Sequence, residues 1–438
     1  MTMSTVLEYG PQQQAAREEI QAWWRKERPG MDQRPDGVQV FRLFGWAGVG
    51  KTTLARQLVE DLGVRPCFAA YTGKAAHVLT RKGCPASTVH SLIYTPCDSE
   101  DSTSYLLRRQ LAAATDSGER ARITGLLRRA EADSGTSWEL KADSVLSSTP
   151  LLVLDECSMV DAKMAGDLLG FGCRVIVLGD PAQLPPVNGS GYFTNAEPDF
   201  LLTEVHRMAL DSPVMRIAMA ARTAPLGDRA LGVPGPDGNS GRYKGVGIEA
   251  AARYDQVLVG TNKLRWQLIR AIRMHLGRPV DPVPGDRIMV LANSRLANVF
   301  NGQQFTVLTC ETRGSTYHFH VADDDGCERE LTTHTAGFAN LDGERHAVKY
   351  GRGPVAAATF AQVITTHKAQ GSEWPSVLVV DESAVAGSGR HREAIEAGAS
   401  SGEAARLAHE AARSWLYTAV TRASERVHIV PAGGVRFR

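Results

Sequence analysis

Residues 45–53 read Gly45-Trp46-Ala47-Gly48-Val49-Gly50-Lys51-Thr52-Thr53, and their neighbours decide what they form. Upstream, Val38 to Phe44 is apolar and rich in β-formers. Downstream, Leu54, Leu58, Val59 and Leu62 recur at helical spacing, so the glycines stand where a strand turns into a helix. A G-x-x-x-x-G-K-[ST] loop in that setting wraps backbone N–H groups and a helix N-terminus around the phosphates of a nucleotide. Lys51 is expected to neutralise the β- and γ-phosphates and the Thr52 hydroxyl to hold Mg²⁺. Gly45, Gly48, Gly50 and Thr53 complete a site for a nucleoside triphosphate, ATP in the first instance.

The chain has 438 residues, which suggests two or three domains. With 43% hydrophobic and 22% charged residues it reads as a globular protein, and a formal net charge of +1 gives no global field. Any polyanion must therefore be met by a local groove. The seven cysteines are odd in number and lack metal-ligand spacing, which points to free thiols in a reducing compartment. No pair among the histidines has metal-ligand spacing with a partner cysteine, so no zinc site is expected. Met1 to Gly10 shows no basic stretch followed by an apolar one, and no apolar run reaches membrane-spanning length. A cytoplasmic protein without a membrane partner is the expectation.

Pro11 to Trp24 places Ile20, Trp23 and Trp24 on a helical face just ahead of the loop. A glutamine here has the amide to read an adenine edge; Gln13 is the candidate and Gln12 its rival. Pro29 to Gly37 reads as a turn-rich linker. Cys67 to Tyr71 is a short apolar run ending in Thr72-Gly73-Lys74-Ala75-Ala76, and Thr88-Val89-His90-Ser91 follows a turn; open α/β sheets bind ligands at such strand ends. From Thr95 to Thr149 polar turns and an Arg-rich segment, with Arg108, Arg109, Arg128 and Arg129, suggest an insertion. Those arginines suit either a phosphate-contacting face or a solvated helix.

Leu151-Leu152-Val153-Leu154-Asp155-Glu156 is a buried strand ending in two carboxylates. A strand-end Asp can hold the Mg²⁺ shell, and the Glu beside it can activate water. Arg174 to Leu178 repeats the plan and ends in Gly179-Asp180-Pro181-Ala182-Gln183-Leu184-Pro185, so the first half reads as a doubly wound sheet. Val379-Val380-Asp381-Glu382 offers a second acidic strand end; it is rejected because it falls in the second half, away from the phosphate loop. That half rebuilds the α/β plan, with strands at Val257–Val259, Thr359–Ile364, Val377–Val380 and Arg426–Val430 and a helix over Leu264–His275. Between Gly285 and Gly353 the period turns to two, as in a small β-barrel. Ala384 to Gly402, rich in Gly, Ala and Ser, reads as a mobile surface loop.

Taken in order, Thr72-Gly73-Lys74-Ala75-Ala76, Thr88-Val89-His90-Ser91, Asp155-Glu156-Cys157-Ser158-Met159-Val160, Gly179-Asp180-Pro181-Ala182-Gln183-Leu184-Pro185, Leu202-Thr203-Glu204-Val205-His206-Arg207, Thr366-His367-Lys368-Ala369-Gln370-Gly371-Ser372-Glu373 and Leu416-Tyr417-Thr418-Ala419-Val420-Thr421-Arg422-Ala423 resemble the motif series of superfamily 1 helicases, most closely the RecD and Dda branch, superfamily 1B. The resemblance runs from about residue 12 to about residue 430. It implies two RecA-like P-loop domains, each a parallel sheet flanked by helices. Residues 1–94 and 150–191 would form the first and 192–284 with 354–438 the second. An inserted pin or helical subdomain would occupy 95–149, with Trp138 a guess at its tip, and an SH3-like β-barrel 285–353.

By the same resemblance, Lys51, Thr52, Asp155 and Glu156 would form the phosphate, Mg²⁺ and water-activating set. Gln183 would sense the γ-phosphate, and Arg207 and Arg422 would reach it across the cleft. An arginine finger is worth roughly 10³ to 10⁵ in rate. Thr72, Lys74, His90, Thr366, His367, Lys368 and Ser372 would line a single-stranded DNA path, largely sequence-independent and salt-sensitive. The implied activity is a monomeric 5′ to 3′ DNA helicase acting on single strands and their junctions with duplex, with replication, recombination or repair proteins as compatible partners. The rivals are a translocase that strips proteins without separating duplexes, a P-loop phosphotransferase, which leaves Arg207 to Arg422 unexplained, and a nucleotide-switched binding protein, which would not need the full hydrolytic set.

Overall fold

A computed structural model describes residues 9–26, 39–97, 110–111, 119–120, 122–124, 137–185, 191–204, 212–228, 233, 240–294, 296–339 and 355–436. Strands β1 (Val40–Gly45), β2 (Cys67–Ala70), β3 (Ala86–Thr88), β6 (Leu151–Asp155), β7 (Arg174–Gly179) and β8 (Phe200–Leu202) form one parallel sheet in the order β3-β2-β6-β7-β1-β8. Side chains alternate between two cores, as a period of two requires. Leu43, Leu151 and Val153 face Ile20, Trp23, Leu54 and Leu58, which come from helices α1 (Pro11–Arg25) and α2 (Lys51–Leu62). Phe44, Leu152 and Leu154 face the other way, toward Val89, Ile93, Met164 and Leu168. Leu79 of α3 (Gly73–Arg81) joins the first core, and Met164 and Leu168 belong to α4 (Ala162–Leu169). With both faces covered, these strands read as continuous apolar runs rather than alternating ones.

The end expected for this unit at 191 falls inside it. Phe193 is fully buried in the same core as Phe44, and β8 pairs with β1, Leu43 opposite Phe200. β4 (Tyr94–Cys97) and β5 (Ser137–Leu140) make an antiparallel ribbon in which Trp138 sits opposite Pro96. Arg108, Arg109, Arg128 and Arg129 lie outside the described residues.

The second parallel sheet has the order β18-β11-β19-β20-β9, from β9 (Gly241–Arg242), β11 (Gln256–Val259), β18 (Val363–Thr365), β19 (Trp374–Asp381) and β20 (Ala423–Pro431). Helices α5 (Pro213–Thr223), α6 (Asn262–His275), α7 (Ser383–Glu396) and α8 (Ser401–Val420) flank it, and β10 (Val246–Gly247) pairs with β21 (Val435–Arg436) beside it. The stretch 384–402, expected as a mobile loop, is most of α7 and the start of α8. Its small residues serve close helix packing: a Cβ on Gly387 would lie 2.8 Å from the carbonyl oxygen of Ala408.

Between β11 and β18 stands the barrel: β12 (Arg287–Val290), β13 (Gln304–Arg313), β14 (Thr316–Ala322), β15 (Glu328–His334), β16 (Val355–Ala356) and β17 (Ala358–Phe360). β16 and β17 are one run interrupted at Ala357; β16 pairs with β15 and β17 with β12, so the run closes the sheet on itself. The barrel therefore continues past 353. Thr359–Ile364, expected as a single strand, is shared between two sheets, because Gln256 Nε2 donates to the carbonyls of Ala361 (2.9 Å) and Gln362 (3.2 Å) at the crossing.

The rejected acidic pair lies on the second sheet. Asp381 pairs with Arg242 at 2.8 Å, and the Glu382 carboxylate accepts from Gly260 N (2.8 Å) and Thr261 N (2.9 Å). Both carboxylates are structural.

Candidate nucleotide cleft and strand path

β6, β7 and β1 are neighbours in the first sheet, so the groups that follow their carboxyl ends meet in one crevice. After β1 the chain turns through Gly48 (φ 76°) and Gly50 (φ 80°), backbone conformations that favour glycine. Gly45 is needed for space instead: a Cβ there would come 2.8 Å from Leu202 Cβ and 2.9 Å from Val49 Cγ2. Lys51 Nζ donates to the carbonyls of Gly45 (2.6 Å) and Trp46 (2.9 Å), which holds the ammonium over its own loop. Thr53 is exposed. Gln13 Nε2 donates to Val49 O at 3.2 Å, which puts this side chain on the loop. Gln12 faces elsewhere; its Oε1 accepts from Thr203 N (2.8 Å) and Glu204 N (2.9 Å) and ties α1 to the end of β8.

Thr52 Oγ1 donates to Asp155 Oδ2 at 3.0 Å, and Asp155 Oδ1 accepts from Glu156 N at 2.8 Å. The hydroxyl and carboxylate are hard oxygen donors side by side, a set that fits Mg²⁺, which takes few protein ligands and keeps waters. Among the described residues no group of three or more His, Cys, Asp or Glu could hold a metal. Glu156 adopts a left-handed backbone, φ 54° and ψ 45°. Burial pushes its carboxyl above the usual range, against the Arg422 guanidinium, which pulls it down; Asp155 and Asp180 push up and Lys51 pulls down. Gln183 is 9% exposed, and its Oε1 is buried without a hydrogen-bond partner among the described residues. An unmet buried acceptor costs about 1–3 kcal/mol, and here it marks a position for a donor that the described residues do not supply.

Arg422 comes from the second sheet's layer and is 6% exposed. Its Nε donates to Thr418 O (3.1 Å) and its Nη1 to Ser372 O (3.3 Å). Arg207 lies outside the described residues. Four further cross-cleft bonds went unread in the sequence. Tyr417 OH donates to Asp180 Oδ2 (2.6 Å) and accepts from Ala47 N (3.0 Å) on the phosphate loop. Leu184 N donates to Thr418 Oγ1 (2.9 Å), and Gln370 Nε2 donates to Leu184 O (2.9 Å). Burial, with Asp180 beside it, raises the Tyr417 pKa. All of these residues stand inside the quoted motifs; nothing in a linear pattern says which of them touch.

The expected strand path draws on both halves of the chain. Thr72 caps α3, its Oγ1 accepting from Ala75 N at 3.2 Å. A Cβ on Gly371 would lie 3.1 Å from that oxygen, so the two halves abut here. Lys74 lies 4.9 Å from the centroid of the Trp374 ring and 3.6 Å from Asp324 Oδ2; burial lowers its pKa, and Asp324 opposes this. His90 packs between Tyr71 and Tyr94, 5.9 and 5.7 Å between centroids. Burial lowers the pKa of His90 and of His367. Lys368 follows His367 in the same helical turn. Thr366 is fully buried with its hydroxyl donated to Val259 O (3.3 Å), and Ser372 is 6% exposed. These two side chains are set into the fold rather than presented on its surface.

Residues 33–230 match the family described as an AAA domain. No curated protein matches the chain. Among solved structures, a Pif1 helicase described in a study of DNA unwinding at forked dsDNA by two coordinating Pif1 helicases is 17% identical, with a TM-score of 0.52 over 98% of this chain and 94% of that one. The chain shares the fold of that Pif1 helicase. Bacteroides Pif1 bound to ssDNA gives 16% identity and a TM-score of 0.50, over 98% and 93% of the two chains. The Pif1 helicase from Bacteroides in complex with ADP-AlF3 and ssDNA gives 17% and 0.51, over 98% and 94%. The expected pair of RecA-like sheets and inserted barrel agree with that helicase fold. Among the described residues no helix is long and apolar enough to cross a membrane.

Proposed function

We propose that this chain is an ATP-driven DNA helicase that translocates 5′ to 3′ on single strands and opens duplex at junctions. The observation that carries the reading is the position of Arg422, on the second sheet's layer, close enough to Glu156 to offset part of its burial. Lys51, Thr52, Asp155, Glu156 and Gln183 gather on one side, and the arginine meets them from the other. Thr52 and Asp155 would hold Mg²⁺, which would neutralise charge on the phosphate oxygens. Glu156 accepts a proton from the attacking water, whose oxygen forms the new bond to the terminal phosphorus as ADP departs. Lys51 exchanges the carbonyls of Gly45 and Trp46 for phosphate oxygens, and Gln13 stands on the loop at the nucleoside end. Arg422, with Arg207 as a second cross-cleft arginine, stabilises the charge that develops in transfer.

Hydrolysis then depends on a shut cleft. The contact between Gly371 and Thr72 lies on the seam that opening and closing would work, so the cleft and the strand path move together. Thr72, Lys74, His90, His367 and Lys368 would contact phosphates, and Thr366 and Ser372 would act by holding the backbone that does so.

The test is ATP hydrolysis with and without single-stranded DNA, beside unwinding of duplexes tailed at the 5′ or the 3′ end, with Lys51→Ala as control. DNA-stimulated hydrolysis with unwinding from the 5′ tail alone is expected. Stimulation without unwinding would leave a translocase, and hydrolysis indifferent to DNA would remove both.

A further inference from the structure

Arg222 is a residue of the cleft that no motif accounts for. It stands in the last turn of α5, and its guanidinium carbon lies 3.8 Å from the centroid of the Trp46 ring. An arginine from the second sheet's layer thus stacks on the second residue of the phosphate loop. Stacking uses the face of the guanidinium and leaves its N–H donors to find acceptors in the plane. Nη1 is buried and finds none among the described residues.

Arg413, on α8, lies near enough to act on Arg222 as a like charge, and its own Nε is also buried without an acceptor among the described residues. Asp180 is the carboxylate in range, but Tyr417 OH already donates to its Oδ2 (2.6 Å) and Ala182 N to its Oδ1 (3.0 Å). Burial lowers the Arg222 pKa, with Tyr417 and Asp180 opposing and Arg413 adding to the fall. Two neighbouring guanidiniums, each with an unmet buried N–H, cost free energy unless an anion completes them.

We propose that Arg222 and Arg413 form an oxyanion site for the terminal phosphate of the bound nucleotide, with Arg222 as a further phosphate-contacting residue. This rests on the nucleotide reading of the loop. The loop's own amides serve the inner phosphates, and Lys51 bridges the β- and γ-phosphates from the loop side. Groups carried by α5 and α8 approach from across the cleft and reach the outer end of the chain, where ATP differs from ADP. The site therefore reports whether the terminal phosphate is present, and the Trp46 stack passes that state to the loop.

The test is equilibrium binding, without turnover, of fluorescent ADP alone and with aluminium fluoride as terminal-phosphate mimic, in the wild type, Arg222→Gln and Arg413→Gln. Melting temperature is recorded for each. ADP affinity is expected to hold within about threefold, while affinity with aluminium fluoride falls about tenfold to a hundredfold for Arg222→Gln, as the loss of charge-assisted hydrogen bonds would give. Equal loss for both ligands, or an unchanged preference, overturns the proposal. Arg222→Lys keeps the charge without the fork and should recover part of the preference; no recovery in a lysine variant that melts like wild type also overturns it. A wild type that binds neither ligand fails differently, by removing the nucleotide reading itself.

Discussion

Lys74 of α3 faces Asp324, in the turn between β14 and β15, across 3.6 Å. The same turn sets Asp325 2.8 Å from His77 and 3.0 Å from Arg81, and Arg287 reaches Asp324 at 3.2 Å. An acidic turn of the barrel thus stands on the helix that opens with Thr72 and Lys74, where the proposed strand needs a phosphate.

Release of that turn should favour DNA. Asp324 is 53% exposed, so each pair is worth little in water. Asp324→Asn with Asp325→Asn is expected to tighten binding of a single-stranded oligonucleotide by about three- to tenfold at low salt, the gain shrinking as salt rises. Fluorescence anisotropy across a salt series measures it. Weaker binding would make the turn a strap that encloses the strand and not a competitor for it.

Glu156→Gln should leave nucleotide binding intact and lower kcat by at least about 10²-fold, the scale of general-base catalysis. The pH dependence carries a sign. Burial raises the Glu156 pKa, and the base must be ionised, so activity is lost as pH falls through a value above the ordinary 4.5. Arg422 lowers that pKa; in Arg422→Gln the acid limb of the residual activity is expected to move to higher pH. A limb that stays or moves down would separate the two residues.

Both parallel sheets were legible because their strands are covered on two faces and read as unbroken apolar runs. Leu151 to Leu154 and Val177 to Leu178 could hardly be anything else. The glycine turn from β1 into α2 and the strand-end place of Asp155 beside Thr52 were legible because residue type and spacing are fixed together there. What escaped depended on contacts distant in sequence. Ala384 to Gly402 has a loop's composition, and only the approach of Ala408 turns its glycines into packing surface. Phe193 looks like a linker residue until β8 is seen beside β1. Trp46 and Arg222 carry no pattern that joins them, although each is plain in the sequence.

His90 and His367 are held below the ordinary value of 6.5 by burial, with Asp161 partly offsetting it for His90. Both are therefore neutral at physiological pH, and on the proposed strand path they would act by hydrogen bonding or packing. Single-strand affinity and its salt slope should stay flat from roughly pH 8 to pH 7 and rise only under more acid conditions. A slope that steepens within that window, and loses the steepening in His90→Gln or His367→Gln, would show a charged imidazole at work instead.

The helical hairpin of α7 and α8 gives a paired prediction that composition alone gets wrong. Helix propensity favours alanine over glycine by about 1 kcal/mol at either Gly387 or Gly389. At Gly389 a Cβ meets nothing within 4 Å, so Gly389→Ala should stabilise by up to about that amount. At Gly387 the new Cβ would come 2.8 Å from Ala408 O and 3.5 Å from Ala412 Cβ, and the first of these neighbours is backbone that cannot rotate away. Overpacking of this kind costs about 1–3 kcal/mol, enough to cancel or reverse the propensity gain. Denaturant midpoints for the two variants should therefore move in different directions, with Gly387→Ala at or below wild type and Gly389→Ala above it. If both rise together, α7 does not pack on α8 as closely as Gly387 requires.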